Sequence, residues 1–348
     1  NLSLAGDGFR FEYGTRRVHH PLLPQVLCYP ADATGCGHYR VRQPFASLCA
    51  AGQIDGLISG VHLAPVELER LGACSVVFQR QITEPQIAGM REVKALSGAF
   101  MVYELDDYLP NLPLKSIHRE SMPRDVLKSL RQAVALTDRF VVSTQSLAEA
   151  FADLHTDIRV VPNSLPVHWW GNLRSQRRRG RKPRVGWAGG SSHQGDLEVI
   201  ADVVRELAGE VEWVFFGMCP EKLRPFVDEV HIGLPIDQYP SKLASLDLDL
   251  ALAPLEQNLF NECKSNLRLL EYGACGYPVI CSDVLCYRGN LPVTRVKNRF
   301  RDWLGAIRMH LADLDAAAAL GDNLRQQVLN HWMLEGENLR RWHAAWLP

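Results

Sequence analysis

Short apolar runs of strand character recur along the first half of the chain, separated by stretches whose apolar residues fall at helical spacing. The runs are PQVLCYP (Pro24–Pro30), SVVFQR (Ser75–Arg80), AFMVYEL (Ala99–Leu105), RFVVST (Arg139–Thr144) and IRVVPN (Ile158–Asn163). Between them, Glu92–Leu96 and Val126–Leu136 place apolar side chains at i, i+3 and i+4, which predicts helices. The first run ends in a loop, Ala31–Arg40, after which a helix pattern begins. Strand and helix alternating through short links predicts right-handed βαβ units around a parallel sheet. The polar start of the chain carries no such pattern.

The rhythm stops between His168 and Lys182, where apolar periodicity is lost and Arg174, Arg177, Arg178, Arg179, Arg181 and Lys182 crowd together. It restarts after Pro183 with RVGWAGG (Arg184–Gly190), VEWVFFG (Val211–Gly217), EVHIG (Glu229–Gly233), LDLALAPL (Leu248–Leu255), PVICSD (Pro278–Asp283) and LPVTRV (Leu291–Val296), with helices expected at Asp196–Leu207 and Lys264–Ala274. The tail from Asn298 to Trp346 reads as helical throughout, carrying Trp303, Trp332, Trp342 and Trp346. The expected fold class is α/β, with two Rossmann-like lobes whose parallel sheets face each other across a cleft. Their boundaries are a first lobe over 1–165, a basic linker over 166–183, a second lobe over 184–330 and a C-terminal helix over 331–348 that crosses back to the first lobe.

Composition narrows this picture. At 348 residues, 47% hydrophobic and 22% charged, the chain has apolar material for roughly two domains of about 150 residues. A net charge of -1 leaves no global field to draw it onto nucleic acid, so an anionic ligand must be met locally. The basic run of the linker reads as a solvated face, or else as a contact for an anionic acceptor or lipid surface. Nine cysteines, with no CxxC metal spacing, fit thiols in a reducing cytoplasm. No apolar run reaches the roughly 18 residues of a membrane span. The chain begins at Asn1 rather than Met and reads as a piece of a longer polypeptide.

In open parallel sheets, ligands bind beyond the carboxyl ends of the strands. There the first lobe offers GCGHYR (Gly35–Arg40), Gln79 and Arg80, Glu104 with Asp106 and Asp107, and Ser143-Thr144; the second offers GGSSH (Gly189–His193), Glu256–Asn266 and Ser282-Asp283. The glycines of GGSSH let backbone N–H groups approach a phosphate at a helix start, or else serve only a tight turn. The segment is neither GxxxxGK[ST] nor GxGxxG, which counts against ATPase and dehydrogenase chemistry. Lys264, Ser265 and Asn266 open an amphipathic helix, with Ser265 as its cap and Lys264 adding a point charge, and Glu271 further along can take both hydroxyls of a ribose. Asp106 and Asp107 read as an acceptor-positioning pair or as loop caps. His38 and His193 are ligand contacts or satisfied structural histidines, while Cys36, Cys263 and Cys275 read as small packing residues. Trp169-Trp170 is a sugar platform or a hinge cover.

The stretch EYGACGYPVI (Glu271–Ile280) resembles the family 4 (group 1) retaining glycosyltransferases, which have the two-lobed GT-B fold. The first Glu of that family's Glu-x7-Glu pattern falls on Cys263, beside Glu262; this is similar to a branch that writes the helix as Cys/Ala-Lys-Ser-Asn/Asp, with Lys264 and Ser265 taking over phosphate or sugar contacts. The resemblance extends to Val185–Leu197, to Val141–Pro166 and to the C-terminal helices with Trp332, and GCGHYR is similar to the family's first loop over diphosphate and acceptor. The Arg and Lys that many members carry in the second lobe's first loop are here Ser191, Ser192 and His193, so the cation must come from Lys264, Arg268, Arg40 or Arg80.

The resemblance implies transfer of a sugar, with retention, from a nucleoside-diphosphate sugar to a glycan, lipid-linked or protein acceptor, in surface-polysaccharide or glycoconjugate synthesis. The implied catalytic residues are Lys264, Arg40, His38 and Asp106. Donor contacts fall on Gly35, Gly37, Gly189, Gly190, Ser191, His193, Glu262, Ser265, Asn266 and Glu271, and acceptor contacts on Asp107 and Arg80. With no DxD triad in the donor loops, neither a metal nor a cofactor beyond the donor is expected. Two other readings stand beside this one: a non-catalytic sugar-nucleotide or glycan-binding module of a larger assembly protein, and a nucleotide-sugar 2-epimerase.

Overall fold

The structure is a computed structural model that describes residues 11–13, 23–111, 125–180, 182–190 and 193–348. These residues divide into two compact units: the first holds the described residues up to Asn163 together with Leu334–Pro348, and the second those from Ser164 to Met333.

In the first unit the strands are β1 (Phe11–Tyr13), β2 (Gln25–Tyr29), β3 (Asp55–Ser59), β4 (Ser75–Gln79), β5 (Phe100–Leu105), β6 (Arg139–Val142) and β7 (Ile158–Val160). They lie in the order β1-β3-β2-β4-β5-β6-β7, parallel except for β1, which runs antiparallel to β3. The chain leaves β2 for β3 on one side and then passes to β4 on the other, which makes the β2/β4 boundary a topological switch point. A parallel sheet is covered on both faces, hence the near-continuous apolar runs. Val26, Cys28, Val77, Val102 and Val141 of the sheet share one core with Phe45 and Leu48 of the helix Gln43–Ala50 and with Trp342 and Trp346 of the helix Gly336–Trp346. The sequence pattern did not predict β1 or β3. In β3, Gly56 has φ 144, and a Cβ there would lie 2.0 Å from the Val26 carbonyl oxygen, so pairing with β2 excludes the side chain that would have marked a strand.

The second unit holds β8 (Arg184–Ala188), β9 (Glu212–Gly217), β10 (Glu229–Ile232), β11 (Leu250–Ala253), β12 (Val279–Ser282) and β13 (Thr294–Val296). All six are parallel, in the order β10-β9-β8-β11-β12-β13, with the switch point between β8 and β11. Trp187, Phe215, Leu252 and Ile280 form its core with Trp303 and Ile307 of the helix Phe300–Ala312. The helix predicted at Asp196–Leu207 is two shorter ones, Gln194–Glu198 and Ala201–Glu206, and the one predicted from Lys264 begins at Leu267, after a separate turn at Leu259–Glu262.

The tail consists of three helices, Phe300–Ala312, Leu314–His331 and Gly336–Trp346. The last belongs to the first unit, where the Ser75 hydroxyl donates to the Trp346 carbonyl at 2.5 Å and Arg139 Nη1 donates to the Leu347 carbonyl at 2.7 Å. The basic stretch is fastened down within the second unit. Arg177 pairs with Asp322, Arg178 with Asp315 and Arg179 with Asp247, while the backbone N–H groups of Gln176 and Arg178 donate to Asp247 and Asp249 at 2.6 and 2.8 Å. Among the described residues, no helix is long and apolar enough to cross a membrane.

Candidate functional site

At the first unit's switch point, the Ala31 N–H donates to Gln79 Oε1 at 2.9 Å and ties the loop after β2 to the end of β4. Asp32 Oδ1 closes that loop on itself, accepting from the Thr34 N–H at 2.9 Å, the Thr34 hydroxyl at 3.0 Å and the Gly37 N–H at 3.0 Å. A Cβ on Gly37 would lie 2.0 Å from the Asp32 carbonyl oxygen, so glycine is required there by the loop's own backbone, whereas Gly35 has nothing within 4 Å.

Arg40 points into the core, not out of the loop, with its side chain 1% exposed. Its Nε meets Glu104 Oε1 at 2.6 Å, its Nη1 donates to the Val161 carbonyl and to Asn163 Oδ1 at 2.6 and 3.0 Å, and its guanidinium lies 4.4 Å from the Trp342 ring centroid. Burial pushes the Glu104 carboxyl upward, against the pull of Arg40. His38 is buried as well, edge-on to Tyr39 at 5.0 Å.

Arg80, Asp106 and Asp107 come together: Arg80 Nη2 lies 2.8 Å from Asp106 Oδ1 and 3.5 Å from Asp107 Oδ2. Burial works against the Asp106 charge, but the Arg80 guanidinium outweighs it and holds the carboxyl below its ordinary range. Ligand atoms of Cys36, Asp106 and Asp107 lie within 4.8 Å of one another, a donor set that could take a cation. Arg80 already supplies the positive charge to both carboxylates, and burial pushes the Cys36 thiol up, away from the thiolate a metal prefers.

In the second unit, the loops after β8 and β11 meet at the switch point. His193 lies 2.7 Å from Asp196 Oδ2 through Nδ1, while Asp196 Oδ1 accepts from the Glu256 N–H at 2.8 Å and from Asn261 Nδ2 at 3.3 Å, which stitches the two loops together. Burial, reinforced by the charges of Lys264 and Arg268, pushes His193 down to about 4 despite Asp196. The ring is therefore neutral at pH 7. Its one proton belongs on Nδ1, facing Asp196, which leaves Nε2 as an acceptor 3.5 Å from Arg268 Nη2.

Arg268 lies over the rings of Trp187 and Tyr272 at 5.6 and 5.9 Å, and Lys264 over Phe260 at 4.9 Å. Glu271 is buried and accepts from the Tyr239 hydroxyl at 3.0 Å; Tyr239 in turn stacks on Phe216 at 5.5 Å. Tyr272 holds the switch point itself, its hydroxyl accepting from the Ala188 N–H at 2.8 Å and donating to the Leu252 carbonyl at 3.2 Å.

No protein-family pattern and no curated protein matches this sequence. Solved structures do. A sucrose-phosphate synthase from Thermosynechococcus elongatus superposes with a TM-score of 0.65 at 14% identity, over 91% of this chain and 97% of that one. HepE from Anabaena, solved with UDP-glucose, gives 0.64 at 11% identity over 92% and 98%. An α-glucosyltransferase solved with UDP-glucose and DNA containing an abasic site gives 0.64 at 8% identity over 90% and 96%. The fold is GT-B. At these identities the likeness is one of fold.

Within this GT-B chain the sequence-predicted residues fall into separate groups. Lys264, Glu271 and His193 gather at the second switch point with Arg268, and Arg80, Asp106 and Asp107 form a cluster in the first unit. Arg40 stands apart in the first unit's core. Ser265 does not cap as predicted: Asn266 holds the N-cap position of the helix Leu267–Ala274, and Ser265 Oγ accepts from the Leu267 N–H at 3.4 Å. Glu262 ends the turn Leu259–Glu262. The Gly189 N–H donates to the Phe216 carbonyl at 2.9 Å and Gly190 has open space about it, while Ser191, Ser192 and Arg181 lie outside the described residues. Sequence reasoning missed Asp196 and Tyr239, and took in Asn261 only as part of the Glu256–Asn266 segment. Asp196 was findable, three positions after His193 and so on the same face of a helical turn; Tyr239 carries no local signal.

Proposed function

We propose that this chain is a glycosyltransferase that moves a sugar from a nucleoside-diphosphate sugar to a glycan, lipid-linked or protein acceptor, with retention and without a metal. The observation that carries this reading is the grouping of Lys264, Arg268, neutral His193 and buried Glu271 around the β8/β11 switch point, where open sheets take their ligands. Cleavage of the sugar–phosphate bond leaves negative charge on the departing diphosphate, and fixed cations in a partly dry site stabilise that charge most where it develops. Lys264 and Arg268 are the cations in place, and Glu271 is the acceptor for ribose hydroxyls. His193, locked by Asp196, offers Nε2 to a donor hydroxyl.

The carboxylates of the first unit support the choice of retention. Asp106 and Asp107 are held by Arg80 and Glu104 by Arg40, which favours an oxygen of the departing phosphate as the base for the acceptor hydroxyl. The new bond then forms on the face the diphosphate leaves. The nine cysteines form no disulfide, which supports a reducing, cytoplasmic setting.

Incubation with a panel of nucleotide sugars, with and without glycan acceptors, tests the reading: acceptor-dependent release of nucleoside diphosphate and a product of unchanged anomeric configuration are expected. The position of the family's first Glu is here Cys263, fully buried, and this favours a second reading as a non-catalytic sugar-nucleotide-binding module. Tight nucleotide binding with no release under any acceptor would select it.

A further inference from the structure

The second unit contains a cavity of about 520 Å³ between the helix Leu314–His331, the end of the helix Leu267–Ala274 and the segment 174–177. Gly276 in its wall leads into the amino end of β12, whereas the loops of the candidate donor site leave the carboxyl ends of β8 and β11. The strands are parallel, so the two places lie at opposite edges of the sheet.

Three guanidiniums, those of Arg174, Arg177 and Arg325, face this cavity against one carboxylate, Asp322. Arg177 is matched to that carboxylate at 2.8 Å and also donates to the Gly276 carbonyl at 2.5 Å. Arg325 is aimed by backbone oxygens, donating through Nε to Ala274 and through Nη2 to Gly171 and Leu173, each at 3.2 Å. These bonds fix Nε and Nη2 without a paired carboxylate, and Asp322, matched to Arg177, adds only an attraction at longer range. Burial first, and then the positive charge of Arg174, holds the Arg325 guanidinium below its ordinary range. Neither Arg174 nor Arg325 makes an ion pair among the described residues.

We propose that this cavity binds a phosphate monoester, its dianion set between Arg174 and Arg325 and its organic part against Gln326 and Asn330. With Arg325 Nε and Nη2 given to backbone carbonyls, its Nη1 remains to meet a phosphate oxygen, the fork of exposed Arg174 can match two more, and a dianion balances the two guanidinium charges. The volume falls within the roughly 300–1,000 Å³ of small-ligand sites. No residue is shared with the candidate donor site, so the proposal stands whether or not the chain transfers sugar.

Calorimetry on the full chain at constant ionic strength, with inorganic phosphate and glycerol 3-phosphate as probes and glycerol as the control, tests it. Saturable binding of both phosphates and none of glycerol is expected. Arg174 is exposed, so Arg174→Gln should fold normally and weaken binding about tenfold or more, the scale of one charge-assisted hydrogen bond, while Lys264→Ala leaves it unchanged. Absence of saturable binding, an unchanged affinity in Arg174→Gln, or loss of binding in Lys264→Ala would each overturn the proposal, the last by placing the phosphate in the donor site.

Discussion

The Tyr239 hydroxyl donates to Glu271 Oε2 at 3.0 Å, with the phenol ring stacked on Phe216 at 5.5 Å. One carboxylate oxygen is thus oriented before any ligand arrives. If Glu271 takes the two ribose hydroxyls of the donor, Glu271→Ala should weaken nucleoside-diphosphate binding by about 2 to 4 kcal/mol, and Tyr239→Phe by about 1, since the stacked ring remains. Titration calorimetry reads both; equal affinity in wild type and Glu271→Ala removes the residue from the site.

His193 sets a pH dependence of stability. Folded, it titrates near 4, against 6.5 for an unperturbed histidine. Between those values the unfolded chain binds more protons, so stability rises with pH across the window, is complete above about 6.5, and is lost on acidification toward 4. With the side chain 19% exposed, the full effect is about 3 kcal/mol. Urea unfolding at pH 7 and pH 5 should show a smaller loss in His193→Gln than in the wild type. Identical losses would mean that the ring is not held neutral.

Transfer should continue after exhaustive chelation, because Arg80 already pairs with both Asp106 and Asp107. The check is turnover in excess EDTA. Activity lost there and restored by Mg or Mn would make Asp106 and Asp107 the ligands.

Gly35 and Gly37 should behave differently. A Cβ on Gly37 meets the Asp32 carbonyl at 2.0 Å, so Gly37→Val must open the loop, lowering the transfer rate and costing about 1 to 3 kcal/mol of stability. Gly35→Ala has space and should leave melting temperature unchanged. Normal transfer by Gly37→Val would separate this loop from the reaction.

What the sequence disclosed follows from where each signal resides. Strands buried on both faces announce themselves as apolar runs, and all five residues of β8 are buried. β3 hides because it opens with Asp55 and Gly56, the second chosen for its missing side chain. The helix carrying Glu271 is visible because its residues are neighbours in the chain, whereas Tyr239 stands 32 positions away and reaches Glu271 through its hydroxyl, with its ring stacked on Phe216. Arg40, in a glycine-containing loop, has the look of a cation waiting for phosphate. Its partners Glu104, Val161 and Asn163 are 64, 121 and 123 positions distant, and no local spacing reveals such an enclosure.

The docking of Gly336–Trp346 into the first unit bears on the order in which the protein takes shape during synthesis. The bond from Ser75 to Trp346 spans 271 positions, and Trp342 lies against Arg40 in the same core. During translation the strands of the N-terminal sheet emerge before Trp342 and Trp346, the indoles that share their core. The second unit needs nothing beyond Met333 and has its full sequence earlier. The half of the protein made first is therefore the half completed last.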